Sequence, residues 1–500
     1  MTEARLLSLF LFLLCAPAAG LFFLLGFAGS WACGAAAAAI IVLMIWVCQS
    51  SVRAADKVRS DILLFSLAVS LALCLLGGEG RLFFANNDWL IRDAIIHDLV
   101  SQPWPFVYHI DTAGVGDRTF VMRAPLAMYM LPAAIGKICG LYAAHLALLG
   151  QNTILFAVIF YFLVPAHRPF RHAAAIIAIF VVFSGLDAVP VLARHALSID
   201  VPSDGVTPAD HLEAWAGLFQ YSSHITQLFW VPQHAIPGWA FAGLYLLWQR
   251  GRVGASLLVC VLPYLGYWSP FAAMGAAPFA LYAAASDLIG RKIGRFDVIA
   301  VLLAALPASL VGIYLVQGSG TVEHGFLLDA PGFWSIYFPF ICIEFIPYVA
   351  LIVAMRPAAI KDPGFLLVII SLLLIPFYKL GASNDFAMRV SIPALALLAA
   401  NFSLTLVDTT AAGDRHVWTR FATLILIIGG ITGAMEVRRA LTRSPLPISE
   451  CDFVQAWGQS PFSWIPMTSY LVNLDTMPGW LRPRSPVDVP PSAIRRCFAP

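Results

Sequence analysis

Long apolar runs separated by short polar connections set the pattern of this chain. A helix that crosses a bilayer needs ~17–25 mainly apolar residues. Thirteen stretches are read as spans: 6–28, 32–49, 61–78, 141–164, 173–190, 233–249, 254–270, 271–286, 297–316, 333–355, 364–380, 390–408 and 420–437. Pro270 and Pro278 divide 254–286 into two short halves. The "CAPAAG" at Cys15–Gly20 looks like a signal-peptide cleavage site, but apolar sequence continues through Phe27, past a normal signal core. The pattern therefore predicts an all-α polytopic membrane protein with about 13 transmembrane helices.

Composition agrees. Of 500 residues, 60% are hydrophobic and only 12% charged, against roughly 25% charged in a soluble domain. One soluble core cannot hide that surplus, so lipid must be the solvent. A net charge of +2 without a basic face gives no case for a nucleic-acid partner. There is no P-loop, and no GxGxxG follows a strand pattern. Most of the 9 cysteines lie in apolar runs as small hydrophobes, whereas Cys451 and Cys497 lie in the polar tail.

Short basic loops orient such a protein, since Lys and Arg stay on the cytoplasmic side. Arg53/Lys57/Arg59, Arg168/Arg171, Arg250/Arg252, Arg291/Lys292/Arg295, Arg356/Lys361 and Arg415/Arg420 all fall on one side if 124–139 does not cross. That segment, "APLAMYMLPAAIGKIC", is then a re-entrant or surface helix. The 86–123, 191–232, 317–332 and 383–389 loops and the tail 438–500 share the outer face. Three parts follow: an N-terminal hairpin and loop (1–60), a core (61–437) whose first large outer loop is 79–123, and a Pro/Arg-rich tail (438–500) read as an irregular cap.

The densest polar cluster is "NNDWLIRDAIIHDLVSQPWPF", Asn86–Phe106. Asn86 or Asn87 is placed to cap a helix whose first turn holds Asp88, and Pro103 and Pro105 end it. At helical spacing Asp88 faces Arg92, and Asp93 faces His97. Apolar residues fill much of the remaining circumference. Such a helix belongs along the bilayer rim, its polar edges toward a cavity, with Trp89 and Trp104 at headgroup level. By itself, Asp88 reads first as a helix cap partnered by Arg92, and only second as a catalytic carboxylate at the membrane surface.

The pattern DWxxRxAxxHDLxxxPWP, followed by "APLAMYMLPAAIGK", resembles a group of bacterial membrane proteins grouped with the GT-C class of membrane glycosyltransferases. "WVPQHAIPGW" (Trp230–Trp239) and "NDFAMRVSIPAL" (Asn384–Leu395) resemble further patches of that group. The resemblance covers about residues 60–400 in layout but three patches in motif. It implies a GT-C-like fold with short helices in the first outer loop. It also implies sugar transfer from a polyprenyl-phosphate carrier to a glycan, lipid or protein acceptor at the outer face of the cytoplasmic membrane. An aspartate of the first large outer loop serves as base in that class, which points to Asp88, with Asp93 in reserve and His97 as its orienter. The loop follows the third span here rather than the first, which makes 6–49 an added hairpin.

A base must take the acceptor's proton, and a cation must receive the departing lipid phosphate. Arg389 leads the cation candidates, four residues after Asp385, followed by Arg123, Lys379 and Lys137; Arg92 joins them as a substrate contact. Arg389 and Asp385 read equally as a plain ion pair, and Arg123 as a headgroup contact. The two lysines fit interface snorkelling better. Gln233 and His234 open a span and suit sugar hydroxyls. Glu344 lies in mid-span, where a carboxylate demands a partner or a cavity, and Asp187 asks the same. His195, His211 and His224 share a loop with Asp200, Asp204, Asp210 and Glu213. Some members of the class bind a divalent metal, but no tight ligand spacing marks one here. If the tail is extracytoplasmic, Cys451 and Cys497 are expected to form a disulfide. Competing classes are a transporter or flippase for a lipid-linked saccharide, which calls for inverted repeats, and a polysaccharide polymerase. No repeat is evident.

Overall fold

A computed structural model describes residues 1–26, 30–49, 57–112, 116–197, 211–381, 384–413, 417–494, 496 and 497. Its helices are α1 (Glu3–Cys15), α2 (Pro17–Leu25), α3 (Ser30–Gln49), α4 (Ser60–Leu76), α5 (Asp88–Ser101), α6 (Ala127–Cys139) and α7 (Leu141–Leu163). There follow α8 (Phe170–Val182), α9 (Ala188–Ala196), α10 (His224–Trp230), α11 (Pro232–Gln249), α12 (Ala255–Trp268), α13 (Pro270–Ile289) and α14 (Arg295–Val316). The last are α15 (Phe333–Glu344), α16 (Ile346–Met355), α17 (Pro363–Leu374), α18 (Asp385–Val390), α19 (Ile392–Ala411), α20 (Val417–Thr442) and α21 (Phe453–Gln459).

Each stretch read as a span is largely helical, although 173–190 is interrupted at 183–187, 333–355 breaks at Phe345 and 364–380 ends in a short strand. Among the described residues, 7 helices are long and apolar enough to cross a membrane, or up to 8 when α15 and α16, bent by 41°, count as one. The chain thus has the build of a mainly helical membrane protein. α4, α8, α12 and α17 are shorter apolar helices. α6 has only 13 residues, about 20 Å of helix, too short for a ~30 Å hydrocarbon core. α7 and α19 are 72% and 78% buried and form the centre, whereas α20, at 22%, lies outermost. The N-terminal hairpin packs on α12 and α14, and Glu3 is ion-paired with Arg252 and accepts the Tyr161 hydroxyl.

Two expectations need correction. The loop after α4 is not helical throughout: α5 is followed by a hairpin, β1 (Phe106–Thr112) and β2 (Gly116–Met122). The tail is not an irregular cap either. It contributes α21 and two strands, β5 (Leu471–Asn473) and β6 (Val487–Asp488), to a sheet of order β5-β2-β1-β6. β5 runs antiparallel to β2, and β6 parallel to β1. Short strands that complete a sheet begun hundreds of residues earlier carry little local signal. A second antiparallel pair joins β3 (His324–Phe326) to β4 (Tyr378–Leu380). Cys451 and Cys497 form the expected disulfide.

Candidate functional site

α5 carries the candidate acids, and its start is built by Asn86. The buried Asn86 side chain accepts the Asp88 N–H (3.0 Å) and donates to the Phe229 carbonyl (2.8 Å). This ties the first turn of α5 to the end of α10. Asp88 and Arg92 form the expected pair at 3.3 Å, with side chains 22% and 4% exposed. Arg92 also donates to the Trp230 carbonyl. Its Nε and Nη1 are buried and find no acceptor among the described residues. Trp89 is only 1% exposed, with Arg92 and Arg81 over its ring. It is therefore a protein-buried platform, not a headgroup anchor.

Around Asp88 the fold gathers groups from distant segments. Burial raises its carboxyl above the ordinary aspartate value; the charges of Arg92, then Arg389, oppose this, Asp385 adds to it, and His211 opposes it. Asp385 and Arg389 pair at 2.9 Å and are 26% and 23% exposed. Asn384, in left-handed conformation (φ 53°), starts α18 and donates to the Leu218 carbonyl, fixing α18 against the 211–223 segment. Tyr470, from the tail, feels Arg389, Asp385, Asp88 and Arg92 in turn, although burial dominates its upward shift. Its ring packs at a tilt against Phe453 and Trp457. His234 lies buried at the start of α11, bonded through Nδ1 to the Ser269 hydroxyl (2.7 Å). Gln233 beside it is buried too.

Other candidates serve the scaffold. Asp93 is fully buried, ion-paired with Arg81, and accepts the Ser449 N–H (3.1 Å). The expected Asp93–His97 pairing is absent: His97 Nδ1 meets Asp98 instead, at 3.0 Å. Asp98, not singled out from the sequence, also accepts the Tyr108 hydroxyl (2.7 Å) and the Phe453 N–H (2.8 Å). Asp93 and Asp98 therefore fasten the tail to α5. Arg123 donates to the Thr468 carbonyl (3.0 Å), and its backbone N–H to Tyr470. It anchors the strand that delivers Tyr470. Lys379 pairs with Glu323, and Lys137 donates to Gln102 over the Trp104 ring.

His211 was legible only as one histidine among several. Its ring packs at a tilt against Trp230, and its Nδ1 lies 3.8 Å from Glu436 of α20. Burial lowers its affinity for protons, but Glu436 and Glu213 outweigh this and hold it above the ordinary value. Asp200, Asp204 and Asp210 lie outside the described residues. Among the described residues no group of three or more His, Cys, Asp or Glu is placed to hold a metal ion. A cleft of about 820 Å³ opens at the far end of α11, lined by Trp248, Asp287, Lys292 and Arg356 among others. Asp287 there is bonded to Trp248, Ala255 and Lys292.

No family model, curated protein or solved structure matches this chain.

Proposed function

We propose that the chain is a membrane glycosyltransferase of the GT-C kind. It moves a sugar from a polyprenyl-phosphate carrier to a lipid, glycan or protein acceptor on the outer face of the cytoplasmic membrane. One observation carries the reading: a partly open carboxylate, Asp88, is ion-paired with Arg92 on its own helix and feels the charge of a second guanidinium, Arg389 of α18. Asp88 takes the acceptor hydroxyl's proton as that oxygen attacks the anomeric carbon, and its raised proton affinity suits a general base. The carrier phosphate leaves with the electrons of the broken glycosidic bond and gains negative charge. The charges of Arg389 and Arg92 meet it. His234, Asp385 and Tyr470 border the sugar.

Purified protein offered a panel of polyprenyl-phosphate sugars tests this. Asp88→Asn is expected to reduce transfer at least ~100-fold, the usual worth of a general base. Transfer at the wild-type rate ends the assignment. A second reading, a transporter of a lipid-linked saccharide, draws on the helix break at Glu344, since broken spans carry transporter sites. Flux in liposomes without sugar transfer favours it.

A further inference from the structure

Away from Asp88, two chain breaks meet inside the bundle. α8 ends at Val182, and the chain runs without helix to Asp187 before α9. α15 and α16 break at Phe345. The Leu186 N–H donates to the Ile343 carbonyl (3.2 Å), and the Tyr348 hydroxyl to the Ser184 carbonyl (2.6 Å), so the breaks lie side by side. Two glycines permit the approach. A Cβ on Gly185 would overlap Glu344 Oε2, and one on Gly429 of α20 would meet the Ser184 carbonyl at 2.8 Å.

At this junction stand Asp187 and Glu344, 0% and 2% exposed. Asp187 Oδ2 accepts the hydroxyls of Ser184 (3.2 Å) and Thr432 (3.1 Å). Glu344 Oε1 accepts the Trp215 indole N–H (3.0 Å). The other two oxygens, Asp187 Oδ1 and Glu344 Oε2, receive no donor from any described residue. Gly185, two residues before Asp187, packs directly on Glu344 Oε2, which brings the two carboxyl groups within reach of one another. Two carboxylates bond only through a shared proton, and two bare negative charges do not share a dry site. Among the described residues neither acid has a basic ion-pair partner. The nearby ionisable groups are Tyr348, Glu213 and, beyond Glu213, His211, Glu436 and Arg439; Arg194 of α9 is bonded to the Trp215 carbonyl.

We propose that Asp187 and Glu344 form a proton-binding site, and that its single exchangeable proton latches the α8–α9 turn to the break between α15 and α16. Hydroxyl and indole donors already aim at both acids. A metal ion would require oxygen lone pairs there instead. The closed pair holds one proton more than two separated acids hold at neutral pH, so each opening releases a proton to water. The inference stands independently of sugar transfer.

Hydrogen exchange of residues 183–187 and 343–346, in detergent across a pH series, reads the latch. In wild type the opening constant is expected to rise about tenfold per pH unit from neutral pH upward, on top of the ordinary base-catalysed rise in exchange. In Glu344→Gln the amide donates to Asp187, and the added slope disappears; Asp187→Asn repeats the test from the other side. Infrared spectra at neutral pH should contain a protonated-carboxyl band lost in both variants. Equal slopes in wild type and both variants overturn the latch, and so does the absence of that band. If replacing choline by sodium removes the band while protection persists, the pair binds a metal cation and the proton assignment fails.

Discussion

Asp98→Ala tests whether the tail is part of the site or an ornament on it. Asp98 is fully buried and accepts from Tyr108, Phe453 and His97. The variant orphans two buried donors, the Tyr108 hydroxyl and the Phe453 N–H, while partly exposed His97 turns to water. Each orphan costs about 1–3 kcal/mol. Removing the acid also removes the cost of burying it, so we set the net loss at about 2–3 kcal/mol. Amide exchange in α21, which begins at Phe453, should then quicken by at least ~30-fold. Tyr108→Phe orphans no donor and leaves Asp98 two partners, so it should cost about 1 kcal/mol. The double variant should cost less than the sum, because both changes delete one shared bond. The tail delivers Tyr470 into the field of Asp88 and Arg389, so the proposed sugar transfer should fall in step. Exchange in α21 that matches wild type in Asp98→Ala would refute the view that this acid docks the tail.

Three further outcomes follow from the same contacts. Asn86→Ala removes the acceptor of the Asp88 N–H and the donor to Phe229; a loss of about 1–2 kcal/mol should appear as faster exchange in the first turn of α5, and unchanged exchange contradicts it. Burial raises Asp98 against hydrogen bonds from His97, Tyr108 and Phe453, which lower it. The docked tail therefore retains a proton that the undocked acid sheds, and this stabilisation, complete below the ordinary carboxylate range, fades as pH rises through the raised value. Docking followed by proteolysis should weaken over that interval, and Asp98→Asn should flatten the profile. Cys451→Ser opens a bridge with a sequence separation of 46, releasing about 4 kcal/mol of chain-entropy restraint. The tail should become protease-sensitive while the helical bundle stays intact, which fragment masses will show.

Some of this was readable along the chain. The helix from Asp88, its Asp88–Arg92 pair and the short α6 each follow from spacing within one turn or one segment. Glu344 stood out because a lone carboxylate in an apolar run needs a partner, yet nothing in the run names Asp187 and Trp215. Asp93 illustrates the limit. Its helical spacing to His97 is sound, but Arg81 and the Ser449 N–H compete for the carboxylate and win. The hairpin at Phe106–Met122 was missed because α5 dominates the reading of that loop. Its partner strands of 3 and 2 residues lie in a tail rich in proline.

What the sequence by itself determined is therefore the local and the solvent-driven: which stretches are helical, that lipid must surround them, where polar chemistry concentrates, and that two tail cysteines stand apart. Hydropathy and helical period are summed over neighbouring residues, so they need no knowledge of the fold. Tertiary structure alone decided which acid stays open and which is sealed, that Asp88 feels the charge of Arg389 from a distant segment, and that Asp187 faces Glu344. Those outcomes depend on which side chains compete for one buried carboxylate. That competition is settled by packing between segments hundreds of residues apart.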